Sequence, residues 1–140
     1  MDQQIRDAIF RSVQQEPFAR ALGLELMELA DGYSLVEMRH DPARMDNLFS
    51  RAHGGAIYSL IDEAFETVAQ TDGTVSVALN VNVTYVASPD PGTLLRAEAR
   101  QVSMTKKTAS YDIKVTTEGG QLIATCQALA FRTGKPLPFL

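Results

Sequence analysis

The stretch RAHGGAIYSLIDEAFETVA, residues 51–69, decides the fold. At about 100° per residue on a helical wheel, its apolar side chains form one stripe, which we expect to face a sheet. The members of this stripe are Ile57, Leu60, Ile61, Ala64 and Val68. Glu63, Glu66 and Gln70 form a second, polar stripe, which we expect to face solvent. The pattern predicts one long helix that ends before the stop signal Thr71-Asp72-Gly73.

Asp62 belongs to neither stripe and lies on a third face with Gly55, Tyr58, Phe65 and Ala69. Aromatic and small neighbours can desolvate a carboxylate, which raises its pKa and sharpens its basicity. Asp62 is therefore a candidate catalytic residue. The alternative is a solvated aspartate on the helix surface without a chemical role.

The two glycines that open the helix also have two interpretations. Gly54-Gly55 is either a flexible helix start or a place where substrate approaches free backbone N–H groups. In the second case, the positive end of the helix dipole favours a developing oxyanion. Gly55 and Asp62 lie roughly 10 Å apart along the axis, so one small carbonyl cannot contact both within one chain. The spacing is compatible with a site shared between two antiparallel helices across a two-fold axis.

Outward from this helix, the pattern predicts strands on both sides. The apolar residues of 2–15 recur at helical spacing and predict a short helix. Residues 24–30 and 33–40 are predicted strands on either side of the turn Asp31-Gly32. Residues 41–52 have no clear period and are predicted to form a loop. After the helix, four strands follow, the last at about 121–132. The first of them, in SVALNVNVTYVA (76–87), alternates with a period of two, its apolar residues being Val77, Leu79, Val81, Val83 and Tyr85. We expect an α+β domain over residues 1–140, with a curved antiparallel sheet around one long helix and a short N-terminal helix.

Composition limits the classes of function. The 140-residue chain has a net charge of -4 and no long basic run, which argues against nucleic acid as the partner. No stretch is apolar enough to span a membrane, and the charged start MDQQIRDAIF predicts no secretion signal. With two histidines and the single Cys126, a His/Cys metal site is not expected. A lone cysteine also favours a reducing compartment, so we expect a cytoplasmic protein without a metal.

Three elements in order carry a family resemblance: Asn47, then His53-Gly54-Gly55, then Leu60-x-Asp62-x-Ala64. This order and spacing resembles the N…HGG…LxDxA pattern of hotdog-fold acyl-CoA thioesterases, specifically the PaaI (phenylacetic acid degradation) group. The resemblance extends from about residue 18 to residue 132. It implies the hotdog fold, in which a curved antiparallel sheet wraps a long helix, and a homodimer that pairs further into a tetramer.

The resemblance implies hydrolysis of aryl-acetyl or medium-chain acyl-CoA, with no cofactor beyond the CoA of the substrate. A backbone amide of Gly54 or Gly55 would polarise the thioester carbonyl. Asp62 of the partner subunit would act as general base on water or as nucleophile. Asn47 would hold Asp62, the water or the carbonyl, and His53 would brace the helix start or contact the thioester. The alternative function is a non-catalytic acyl-CoA-binding hotdog module.

Substrate contacts follow from the same resemblance. Some relatives carry a hydroxyl on the strand after the helix, where this chain has Ala78, and Thr67 is a candidate to replace it. The acyl pocket would include Leu48, Tyr58 and Phe65, which have core or interface packing as the alternative. The cations expected near the CoA phosphates, with ordinary surface positions as the alternative, are Arg51, Lys106, Lys107 and Arg132.

Overall fold

The structure is a computed structural model that describes residues 1–140. It contains four helices and six strands. The helices are α1 (Gln3–Gln15), α2 (Pro17–Leu22), α3 (Pro42–Met45) and α4 (Gly54–Ala69). The strands are β1 (Glu25–Ala30), β2 (Tyr33–Arg39), β3 (Thr74–Tyr85), β4 (Leu94–Met104), β5 (Thr108–Thr117) and β6 (Leu122–Pro136).

The six strands form one sheet in the order β1-β2-β4-β5-β6-β3, and all neighbouring strands are antiparallel. Helix α4 lies on one face of this sheet and buries its predicted apolar stripe completely. The exposed fractions along the stripe are 3%, 0%, 0%, 0% and 1% for Ile57, Leu60, Ile61, Ala64 and Val68. The predicted architecture of a curved antiparallel sheet around one long helix is confirmed.

The polar stripe of α4 is only partly exposed, and the expectation for Glu63 is wrong. Glu63 is only 3% exposed because the corner between α1 and α2 brings the Glu16 carboxylate against this face of the helix. Burial raises the pKa of Glu63 to about 8, and the charges of Glu16, Glu66 and Asp62 act in the same direction. A helical wheel of α4 alone does not include the N-terminal segment that covers this face.

A β-bulge interrupts the alternation predicted for β3. The pairing with β6 shifts between Ala78 and Asn80, so the inward-facing residues change from even to odd numbers along the strand. Before the bulge, Ser76 and Ala78 face α4, and Val77 is exposed. After it, the inward-facing positions are Val81, Val83 and Tyr85, which pair with Ala128, Cys126 and Ala124. The apolar alternation is therefore correct for the second half of β3 and reversed for the first half.

Three further segments differ from expectation. The predicted loop at 41–52 begins with α3, which Asp41 caps by accepting a hydrogen bond from the Ala43 N–H. Residues 17–22 form a second short helix, α2, which starts at Pro17 because proline suits the first helical position. The last strand extends to Pro136 rather than to about residue 132. No helix of the protein combines the length and the apolar composition needed to cross a membrane.

We expect Leu60→Ala to lower the free energy of unfolding by about 2–5 kcal/mol, because it leaves a cavity between α4 and the sheet. The matched control is Leu48→Ala, at a side chain that is 86% exposed and should change stability by less than about 0.5 kcal/mol. Chemical denaturation followed by circular dichroism measures both. Equal effects of the two substitutions would contradict the packing of α4 on the sheet.

Candidate active site

The start of α4 is held by a histidine side chain. His53 is the N-cap residue, and its Nδ1 accepts a hydrogen bond of 2.8 Å from the Gly55 N–H. A Cβ at position 55 would lie only 3.0 Å from Nδ1, so glycine permits this close approach. His53 therefore braces the helix start, which is one of its two predicted roles. Because the Gly55 N–H donates to His53, it is not available to a substrate.

Gly54 keeps its amide free for another partner. As the first residue of α4, it has no carbonyl available for its N–H within the helix. Its own carbonyl accepts a 3.0 Å hydrogen bond from the Tyr85 hydroxyl, and a Cβ would lie 3.2 Å from the Tyr85 ring. Of the two amides predicted as oxyanion donors, the one at Gly54 is available and the one at Gly55 is not.

Asn47 stabilises the loop that leads to this helix start. Its Oδ1 accepts hydrogen bonds from the N–H groups of Phe49 (2.9 Å) and Arg51 (3.2 Å). The Asn47 N–H donates to the Arg51 carbonyl at 2.7 Å. The side-chain oxygen is thus used within the loop. The side-chain NH₂ group remains for substrate or for a residue of a second protomer.

A histidine–aspartate hydrogen bond that the sequence reasoning missed fixes the base of this loop. The Nε2 of His40 lies 2.8 Å from Asp46 Oδ1, and His40 is only 2% exposed. Asp46 also forms an isolated β-bridge with Ala52, which closes the loop around Asn47. The available signal is a histidine at the end of a strand with an aspartate six residues later, which is too general to indicate a pair.

Asp62 lies on the wall of a cavity between α4 and the sheet. The cavity has a volume of about 240 Å³. Its lining residues are Asp62, Phe65, Glu66, Ala69, Gln70, Ser76, Val77, Ala78 and Ala130. Partial burial raises the pKa of Asp62 above its ordinary value, as expected for a carboxylate among apolar neighbours. The cavity thus brings together three of the predicted site residues, Asp62, Phe65 and Ala78.

Ser76 contributes a hydroxyl to the same cavity. It lies two residues before Ala78 on the same face of β3, and it is 7% exposed. Its Oγ makes no hydrogen bond within the protein. The hydroxyl that Ala78 lacks is therefore available from Ser76. Sequence reasoning missed it because the bulge after Ala78 reverses the inward-facing positions of β3.

Thr67 does not compensate for Ala78 in the way considered from the sequence. Its hydroxyl lies 2.7 Å from the Ser34 hydroxyl and donates to the Glu63 carbonyl at 2.8 Å. The side chain is 2% exposed and is held between α4 and β2. Its hydrogen bonds direct the hydroxyl toward β2, whereas Asp62 faces β3.

Comparison with known proteins identifies the family. Residues 49–124, more than half of the chain, match the family model described as the Thioesterase superfamily. The chain belongs to the Thioesterase superfamily. The matched segment begins in the loop after Asn47 and includes the HGG turn, all of α4 and the Asp62 cavity residues of β3. The protein is thus a thioester hydrolase with the hotdog fold.

Individual relatives agree with this assignment and point to the PaaI group. The acyl-coenzyme A thioesterase PaaI of Escherichia coli is 28% identical over 116 residues, which cover 83% of this chain and 82% of the relative. The structure of E. coli PaaI superposes with a TM-score of 0.89 over 94% of this chain and 95% of that one, at 25% identity. A single-residue variant of PaaI from Thermus thermophilus is 35% identical, with a TM-score of 0.79 over 84% of this chain and 99% of that one.

The three residues predicted to contact the acyl group of the thioesterase's substrate differ in how far they are buried. Phe65 is buried and packs on Tyr111, with the ring centroids 5.5 Å apart. Tyr58 is 37% exposed one helical turn before Asp62. Leu48 lies at the tip of the loop with 86% of its surface exposed. Within one protomer, only Phe65 of these three contacts the Asp62 cavity.

The predicted CoA-binding cations of the thioesterase fall into two groups. Arg51 is exposed, and its Nε donates to the Ser88 hydroxyl at 3.0 Å, beyond the end of β3. Lys106 and Lys107 are exposed in the β4–β5 turn. Arg132 lies beside that turn, but it pairs with Asp72 and donates to the Thr105 carbonyl at 2.7 Å. Its guanidinium is therefore committed to the structure more than the other three cations.

We expect His53→Ala to lower the free energy of unfolding by about 1 kcal/mol, because the substitution removes the cap of α4. His53→Asn is the matched variant, since asparagine also caps helix starts and should retain most of the stability. Thermal or chemical denaturation measures the difference. Equal destabilisation by alanine and asparagine would show that the histidine acts by something other than capping.

Proposed function

We propose that this thioesterase hydrolyses acyl-CoA thioesters to a free acid and CoA. Two relatives support CoA as the thiol part of the substrate. E. coli PaaI is named an acyl-coenzyme A thioesterase, and a 26% identical Streptococcus mutans protein, with a TM-score of 0.76 over 81% of this chain, is bound to acetyl CoA. The apolar lining contributed by Phe65, Ala69, Val77 and Ala78 suits an aryl-acetyl or medium-chain acyl group.

The observation that carries this proposal is Asp62 on the wall of an apolar cavity, with its pKa raised by burial. As a general base, Asp62 takes a proton from water while the water oxygen attacks the thioester carbonyl carbon. As a nucleophile, its carboxylate oxygen attacks instead, and water then cleaves the mixed anhydride. In both routes the carbon–sulfur bond breaks, and the CoA sulfur leaves as a thiolate that takes up a proton.

Two other groups of the cavity and the helix start assist this reaction. The free N–H of Gly54 donates to the carbonyl oxygen as negative charge develops there, at the positive end of the α4 dipole. The Ser76 hydroxyl, which has no partner within the protein, holds the attacking water beside Asp62. The Asn47 NH₂ group adds a second donor near the carbonyl.

These groups complete one site only across a dimer. Gly54 and Asp62 are eight residues apart on α4, which is about 12 Å along the helix axis. Strand β3 is an edge strand, with Val77 and Leu79 exposed at 49% and 57%. Antiparallel pairing of two β3 edges satisfies the free backbone N–H and C=O groups of both edges and sets two α4 helices side by side. Asp62 then approaches Gly54 of the partner subunit.

The same pairing explains the position of the cations. Arg51 and the Lys106–Lys107 turn lie near opposite ends of β3, roughly 40 Å apart along an extended strand, too far for one diphosphate. A two-fold axis across β3 brings Arg51 of one protomer toward the Lys106–Lys107 turn of the other, where both face the CoA phosphates. We further propose pairing of these dimers into a tetramer, and a cytoplasmic location.

We expect Asp62→Asn to reduce kcat by about 10²–10⁴-fold, because the amide cannot take a proton from water or attack the carbonyl. Release of free thiol from a panel of aryl-acetyl and aliphatic acyl-CoAs measures the rate. The matched control is Asp112→Asn on an exposed position of β5, which should keep wild-type kcat. Full activity of the Asp62→Asn variant would refute the assigned role, and acyl-CoA binding without turnover in the wild type would favour a binding module.

A pair of substitutions at Gly54 distinguishes loss of the N–H group from the effect of adding a side chain. Gly54→Pro removes the N–H at the first helical position, where proline is well accommodated, and His53 already has the extended backbone that precedes proline. Gly54→Ala keeps the N–H and introduces the same Cβ contact with Tyr85. We expect about 10²-fold lower kcat for proline than for alanine. Equal rates would exclude the Gly54 amide as the oxyanion donor.

The shared site also predicts complementation between inactive variants. A heterodimer of Asp62→Ala and Gly54→Pro chains contains one doubly damaged site and one intact site. Random reassociation of an equal mixture makes half of all dimers mixed, so about a quarter of wild-type activity should return. Coexpression with two affinity tags isolates the heterodimer. No recovery in the purified heterodimer would contradict a site formed by two subunits.

A further inference from the structure

Three glutamates converge where the N-terminal segment meets α4, next to the face that carries Asp62. Glu16 lies at the corner between α1 and α2, and Glu63 and Glu66 lie on α4. One carboxylate oxygen from each residue lies within 4.8 Å of the other two. None of the three takes part in an ion pair of the protein. The cluster therefore holds three acids without a basic side chain to balance them.

Glu63 distinguishes this cluster from an ordinary acidic surface. Glu63 is 97% buried, as its exposed fraction is only 3%. The Oε1 atom has no hydrogen-bond partner, although a buried polar atom without one is costly. One carboxylate oxygen of Glu63 lies within 4.8 Å of one from Glu16 and one from Glu66, so the side chain points into the cluster. A buried acceptor beside two more acceptors is satisfied either by a proton on one of the three carboxyl groups or by a cation between them.

The donor set indicates the chemical class of that partner. All three groups are carboxylates, and the cluster contains no histidine or cysteine, so it suits a hard cation rather than zinc or copper. Calcium binds oxygen at about 2.3–2.6 Å in flexible geometry, so two ligands on opposite sides lie up to about 5 Å apart. The three oxygens, all within 4.8 Å of one another, fit within such a coordination shell. Magnesium demands a stricter octahedron and usually keeps several waters with one or two carboxylates, so a cluster of three carboxylates favours calcium.

A cavity gives such an ion access and room for water ligands. Glu16 and Glu66 line a cavity of about 490 Å³ between α1, α4, the start of β3 and the C-terminal segment Leu137–Phe139. Three carboxylates supply fewer ligands than the six to eight that calcium takes, and water from this cavity completes the shell. The buried Glu63 then forms the inner wall of the site and the two other acids form its rim.

We propose that Glu16, Glu63 and Glu66 bind one divalent cation of the oxygen-preferring class, with Ca²⁺ the closest match. The ion connects the α1–α2 corner to α4 by direct ligation. The N-terminal segment is therefore anchored to the helix that carries Asp62. The site adjoins the Asp62 cavity, whose wall also includes Glu66, but its ligands are distinct from the groups proposed to act on the thioester.

The first test uses the full chain after dialysis against chelator. Addition of 1 mM CaCl₂ is expected to raise Tm by about 5 °C, and a competition with MnCl₂ and MgCl₂ ranks the cations. Equilibrium dialysis with Mn²⁺ as a probe should give one ion per chain. No shift of Tm and no bound ion with any of the three cations would overturn the proposal.

The second test assigns the ligands. Glu63→Gln is expected to change the Tm of the metal-free protein little, because burial raises the pKa of Glu63 to about 8 and the carboxyl is largely neutral at pH 7, and to abolish the response to calcium. Glu16→Gln, at a less buried position, should also abolish the response and serves if Glu63→Gln folds poorly. Glu118→Gln, in the exposed β5–β6 turn, is the matched control and should keep the full shift. A calcium response retained in both cluster variants would place the ion elsewhere and overturn the assignment.

Discussion

Helix α4 buries an unbroken apolar stripe against the sheet, and the position of every proposed catalytic group depends on this contact. The stripe fixes both the rotation and the depth of the helix, because Leu60, Ile61 and Ala64 have no exposed surface. With the rotation fixed, Asp62 must lie at the side of the helix that meets β3. With the depth fixed, Gly54 must lie beside Tyr85 at the far end of that strand. Packing of apolar side chains that do not take part in the reaction therefore determines where the proposed catalytic groups lie.

At the start of α4, the same few residues stabilise the helix and supply the proposed oxyanion donor. His53 satisfies one of the two glycine amides and leaves the other free. The loop before it is closed by the buried His40–Asp46 pair and by the Asn47 side chain. A preorganised N–H donor needs such support, because a mobile amide would lose its alignment with the carbonyl. The residues that support the HGG segment are thus as necessary for aligning the Gly54 N–H as the glycines themselves.

The sequence alone predicted the features that follow from local periodicity. The stripe of α4, the hairpin at Asp31-Gly32 and the position of Asp62 on a separate face all depend on spacing within one element. The burial of Glu63 was not predictable in this way, because Glu16, from a distant part of the chain, covers it. Ser76 was missed because a bulge is a property of the pairing between β3 and β6. Features created by contact between elements are invisible to a pattern read along one of them.

The bulge between Ala78 and Asn80 divides β3 into two segments of opposite phase. The first segment presents small and hydroxyl-bearing side chains to the Asp62 cavity, and the second presents valines and Tyr85 to the core and the helix start. One strand thereby serves as a wall of the reaction chamber and as part of the scaffold. The side chains of β3 can vary within each segment, but the length of the strand cannot. Deletion of one residue would move the inward-facing side chains of one segment to the opposite face of the sheet.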